Sequence, residues 1–371
     1  MQTNELINVN LSKNDSDMGL FRNLIDDLDL DPSEREKLTK FYEQNSEKLN
    51  ELFSHQLYHR LDSEKNELLF EHYRLLEDFR NRLFETWETP LKRLDSLIYI
   101  CMEIVSELRG DQSNPLRTKT NKFNVATRLH ARCVQVANEI SHLLHGGYAD
   151  GAFARWRTLH ETSATTKFIC EGDEDLSSRF LDFQNIIRLS AATKYNDKNM
   201  LGFQTVPADE LEKMKKGKDE TLARYGPQFE RKFGWARVAL GNAASAKGDL
   251  TFPQIETFVG LDFLRNHFSF ANQYVHAGID SIGFKLGTSM SNKDILLTGP
   301  SNEGLVEPIQ CTSLSLFYAT EAVLKAYPSE HSMVETSVLW LWHDVLKQEV
   351  FDASNALQAK GDAIRAYESD I

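Results

Sequence analysis

Residues 121–147 read NKFNVATRLHARCVQVANEISHLLHGG. Phe123, Ala126, Cys133, Ala137, Ile140 and Leu144 recur three, four or seven positions apart, the spacing that lines up side chains on one face of an α-helix. A strand would alternate with period two, and this stretch does not. Gly146-Gly147 then supplies a helix stop. The same period recurs on both sides. Upstream, Leu38, Phe41, Leu49, Leu52, Leu57 and Leu61 form one run, and Leu68, Leu75, Phe79, Leu83 and Trp87 a second. Asp31-Pro32-Ser33-Glu34 carries a capping residue, a first-turn proline and an acid suited to the positive helix end. The pattern predicts a helix from there, a stop near Pro90, and a third helix over about 91–108, together a helical hairpin or three-helix unit. Downstream, helices are predicted over about 151–170, with Trp156, Leu159, Ser163, Thr166 and Cys170 on one side, then over 175–196, 254–276, 311–326 and 332–362. No internal repeat or βαβ alternation interrupts them. The expected fold class is all-α, with at most a small β-hairpin.

Composition sets the class. The chain has 371 residues, 41% hydrophobic and 26% charged, with only nine prolines to interrupt helices. The most apolar run, Leu97 to Met102, is short and followed by Glu103, which excludes a transmembrane helix there. The first residues have neither the basic nor the apolar region of a secretion signal. Cys101, Cys133, Cys170 and Cys311 stand alone, as expected of reduced thiols in a cytoplasmic protein. The net charge of −13 is segregated: residues 1–115 hold 14 basic against 24 acidic residues, the remainder 28 against 31. An acidic N-terminal third offers no surface for neutralising phosphates.

Three regions are expected along the chain. Residues 1–18 are polar and read as disordered. Residues 19–115 form an acidic helical region, ending in the linker Gly110–Pro115. Residues 116–371 form a helical domain, with a mobile, lysine-rich insertion at 197–234, which contains a short charged helix, and a glycine-rich loop at 277–310. Arg117, Lys119, Lys122, Arg128 and Arg132, in a stretch without acids, give one helix a basic face able to follow an RNA backbone. Trp340-Leu341-Trp342-His343 is either core seam or a ridge for a protein partner.

Arg157 and Glu161 stand four apart on one helix face, set to pair beside the apolar stripe. They serve as a structural ion pair or as the core of a polar site. In the same segment Arg155 and His160 are separated by four residues, the Arg-x4–6-His pattern of HEPN (higher eukaryotes and prokaryotes nucleotide-binding) ribonucleases. There His moves a proton near neutral pH and Arg stabilises charge on the phosphorane. Asn272 and His276 are likewise four apart, with His276 expected at a helix C-terminus as a cap or a site residue. Glu139-x2-His142 has no second copy to complete a di-metal site. Walker, GxGxxG, GxSxG and HExxH motifs are missing, so no metal or cofactor is expected.

From about 119 to 290 the chain resembles a bacterial all-α family of unknown function, HEPN-like and found in defence and mobile-element contexts. Its members pair an Arg-x-Leu-x-Glu helix with a later Ser/Asn-x3-His helix. Here these are Arg157-Thr158-Leu159-His160-Glu161 and Asn272-Gln273-Tyr274-Val275-His276, with Phe229–Trp235 as the basic-then-Trp segment between them. The resemblance implies that Arg157, Glu161, Asn272 and His276 converge. Two functions are expected on this basis. One is an interaction or sensor component of a stress or phage-defence system. The other is a metal-independent ribonuclease acting through His276, or through Arg155 and His160. HEPN-like bundles pair, so a homodimer is expected in either case.

Overall fold

Asp31 starts the first helix. Its carboxylate accepts the Ser33 and Glu34 amides at 2.7 and 2.9 Å, and Glu34 accepts the Asp31 amide at 3.1 Å, a reciprocal cap. The computed structural model describes residues 31–110, 120–198, 201–241, 248–290 and 296–369. Residues 1–18, the linker after Gly110, Arg117 and Lys119 lie outside the described residues. Among those described, every regular element is helical, as expected. They are α1 (Pro32–Gly110), α2 (Asn121–His145), α3 (Ala149–Glu171), α4 (Glu174–Asp182), α5 (Gln184–Asp197), α6 (Ala208–Tyr225), α7 (Arg237–Leu240), α8 (Phe252–Phe258), α9 (Arg265–Ala271), α10 (Ile279–Gly283), α11 (Val306–Ala326) and α12 (Ser332–Ser369).

The expected stop at Pro90 does not occur; α1 is one helix of 79 residues with Pro90 inside it. Proline removes one backbone donor and crowds the preceding turn. Here Trp87, Leu91 and Leu94 around it are wholly buried, and their packing outweighs that cost. Contacts divide the chain into residues 1–78 and 79–371, so the division falls inside α1. In the first unit, Phe41, Leu52, Leu57, Leu61, Leu68 and Leu75 of α1 are exposed.

In the second unit α3 is central, packing on both α2 and α11, and α12 packs on α11. The α2–α3 turn passes through Gly147 at φ 76°, where an added Cβ would sit 2.7 Å from the Phe79 ring. The Trp156 indole donates to Cys311 O and Ser315 Oγ, both at 2.9 Å, and Ser163 Oγ donates to Ser315 O at 2.6 Å. These bonds let the polar atoms of the α3–α11 seam be buried without penalty. At the α1–α12 contact, Arg93 holds Glu349 by two bonds of 2.6 Å, and the Trp342 indole donates to Arg93 O. Trp342 is therefore seam, while Leu341 beside it is exposed.

Residues 197–234 carry one charged helix, α6, which packs on α5, and they bury Phe229. The helical stretch expected over 254–276 is interrupted twice. Gly260 takes φ 69°, closing α8 with a bond from Leu261 N to Glu256 O, and the chain tightens into a 3-10 turn at Asn272–Tyr274.

Candidate functional site

The site grows from the middle of α3. At 100° per residue, Arg155 and His160 are about 140° apart on that helix, whereas Arg157 and Glu161 share a face. Arg155 points to α2, forming an ion pair with Glu139 and donating to Thr158 Oγ1 at 3.2 Å. His160 turns into the core toward α8, and its Nε2 lies 2.7 Å from Glu256 Oε1. The Arg–His pair of the ribonuclease pattern is therefore split between two sides of the helix.

His160 and Glu256 are both wholly buried, and Arg265, at the start of α9, forms an ion pair with the same carboxylate. Burial first, then the Arg265 charge, pushes the His160 imidazole down to about 3. The Glu161 charge opposes this and does not offset it. His160 is neutral with Nε2–H donated to Glu256, which leaves Nδ1 as a bare acceptor, buried and without a partner. Phe252, Phe268 and Trp156 wall the ring in, with centroids 5.9, 5.7 and 5.3 Å from it.

Phe268 joins the buried trio to the outer pair. The Arg157 guanidinium lies 4.5 Å above its ring centre and that of Arg265 lies 4.8 Å away. Arg157 approaches Glu161 only to 3.8 Å, with side chains 20% and 49% exposed. Its Nε is buried and has no hydrogen-bond partner. Arg157, Glu161, Glu256, Arg265 and His160 thus form one ionic group around an aromatic wall.

Asn272 and His276 do not join it by hydrogen bonds among the described residues. Asn272 opens the 3-10 turn, and His276 lies past that turn in a bend, exposed. The 3-10 turn does pack on α3, through Tyr274 against Phe153. On α2, Lys122 and Arg132 are half-buried and Arg128 is exposed. Arg132 reaches Glu139 at 3.5 Å, which locally neutralises that part of the basic face, while Arg128 keeps its charge and donates to Asn124.

Two further histidine groups resemble catalytic pairs. Asp95 accepts from Ser141 at 2.5 Å and lies 2.8 Å from His145 Nε2. Ser141 donates its proton to the carboxylate rather than to the imidazole, so no nucleophile–base relay forms. Ser313 and His343 meet at 2.6 Å but are both buried in the α11–α12 seam.

Residues 123–294 match the model of a family of unknown function, DUF5677. The match spans α2 to α10 and contains all five residues of the ionic group. It supports kinship with a domain family whose description carries no activity. No curated protein and no solved structure matches the chain. No helix among the described residues is long and apolar enough to cross a membrane.

Sequence reasoning paired Arg157 with Glu161 and missed Glu256, Arg265 and Phe268 as their neighbours. One signal was available. Phe252, Ile255 and Val259 lie on one helical stripe, and Glu256 shares it, a charged residue at a core position. Such a residue needs a buried partner.

Proposed function

We propose that the protein is a binding and sensing component of a bacterial stress or phage-defence system, a HEPN-like bundle that does not cleave RNA. The environment of His160 carries this reading. A general base must titrate near the working pH and reach the proton it removes. His160 is sealed behind three aromatic rings, neutral and committed to Glu256. Arg155, its partner in the ribonuclease pattern, is tied to Glu139 on the other side of the helix. Sharing of Glu139 by Arg132 and Arg155 also weakens the case for an RNA track along α2.

The partners proposed are a second copy of the chain and a further protein. The exposed apolar residues of α1 support the first. Val334, Val338, Leu341 and Val345, an exposed stripe on α12, support the second. The proposed compartment is the cytoplasm, where the four buried thiols would stay reduced.

A ribonuclease acting at His276 is the second reading, favoured by its exposed imidazole one turn beyond Asn272. Expression of the wild-type chain and of His276→Ala, with total RNA and cell growth followed together, separates the two. Intact RNA with a growth phenotype in both supports binding and sensing. RNA fragments that vanish with His276→Ala overturn it.

A further inference from the structure

The structure treats its arginines unequally. Arg93 is fully paired, with two bonds of 2.6 Å to Glu349. Arg155 is tied to Glu139 and Arg265 to the buried Glu256. Arg157 is different. It is 20% exposed, its guanidinium lies 4.5 Å over the Phe268 ring centre, and the Glu161 carboxylate stops at 3.8 Å, beyond hydrogen-bond reach. Its Nε–H is buried without an acceptor, as is that of Arg265, but Arg265 has the buried Glu256 carboxylate as its ion-pair partner and Arg157 does not. A half-buried guanidinium set over an aromatic ring, with no carboxylate in hydrogen-bond reach, offers its planar fork for a two-point oxyanion contact.

Charge balance defines the occupant. Arg157 and Arg265 are matched by Glu161 and Glu256, so the group is neutral as it stands. Glu256 is buried and bound by both Arg265 and His160, and cannot leave without stranding them. Glu161 is half exposed and loosely held, and can swing to solvent. An incoming group that replaces it one for one carries a single negative charge. We propose that Arg157 is the recognition point for a singly charged oxyanion, a carboxylate or phosphodiester on a ligand or partner. Glu161 acts as a built-in stand-in that the ligand displaces. This rests on the reading of the protein as a binding module.

The test follows the Arg157 Nε–H resonance by NMR, assigned by its loss in Arg157→Lys. The full chain is titrated with sodium acetate or sodium dimethyl phosphate, against sodium chloride at equal ionic strength. The two salts distinguish carboxylate from phosphodiester, and inorganic phosphate tests whether a dianion is excluded. A saturable shift with either monoanion, absent with chloride, is expected. Glu161→Gln removes the stand-in and should tighten binding by up to about fivefold, the range of an exposed ion pair. The Trp156 indole N–H and the α3 backbone amides, which both proteins retain, should shift with the same saturation in the parent and stay still in Arg157→Lys, whose melting curve is unchanged. A saturable shift that persists in Arg157→Lys overturns the proposal. No saturable shift in the parent and in Glu161→Gln overturns the proposal, as does weaker binding after Glu161→Gln. RNA cleavage by the protein would remove the sensing reading while leaving this titration to be judged on its own signal.

Discussion

Replacing Glu256 with alanine tests whether the buried ionic group holds α3, α8 and α9 together. Glu256 is wholly buried and serves two neighbours, His160 at 2.7 Å and the Arg265 guanidinium. Removing one partner of a buried pair costs about 3–5 kcal/mol, because the other charge is left unpaired. Arg265 is 28% exposed and regains some water, which places this contribution near the lower end. The His160 Nε2–H adds about 1–3 kcal/mol, since it has no route to solvent. A total of about 4 kcal/mol results. With an unfolding entropy of about 2.1 cal/mol/K per residue over roughly 300 residues, this lowers Tm by about 6 °C. Glu256→Gln keeps an acceptor for His160 and gives up only the charge facing Arg265, so it should lose about 3 kcal/mol. Differential scanning calorimetry of the full chain reads both variants. A Glu256→Ala protein melting within about 1 °C of the parent would refute the reasoning.

The histidines and cysteines give further outcomes. His160 is held down to about 3 and His130 to about 4, both chiefly by burial, so the unfolded chain binds protons that the folded chain does not. Their contribution is intact above the unfolded value near 6.5 and is lost as pH falls. Stability should drop by about 2 kcal/mol per histidine between pH 7 and pH 5, and His160→Gln should flatten that slope in urea titrations. Burial pushes the Cys101, Cys133 and Cys170 thiols up to about 12. All four cysteines should resist a thiol reagent in the native protein and react after denaturation without reductant. Light scattering should give twice the 42.5 kDa chain mass, and Leu61→Asp with Leu68→Asp should return it to one.

Legibility in the sequence differed between residues for physical reasons. The α1 start was readable because Asp31 and Glu34 act through their own local backbone, and α2 because its stripe and its glycine stop agree. Pro90 misled because a local rule was outweighed by Trp87, Leu91 and Leu94 packing against distant residues. Arg157 and Glu161 share a face by arithmetic alone, so their pairing was readable. Their joining to Arg265 and Glu256 depends on α8 and α9 being set against α3, which spacing does not encode. The expected convergence of Asn272 and His276 with Arg157 and Glu161 came from the family resemblance, not from spacing. Gly260 closes α8, the 3-10 turn ends at Tyr274, and His276 beyond it is exposed.

The claim that α3 carries a sequestered, non-catalytic histidine is tested most directly by the imidazole nitrogen chemical shifts of His160. Recorded on the full chain from pH 5 to pH 8 and assigned by His160→Gln, they should show one neutral tautomer throughout, protonated at Nε2 and bare at Nδ1. A His160 that titrates near pH 6.5, as a general base would, contradicts the account.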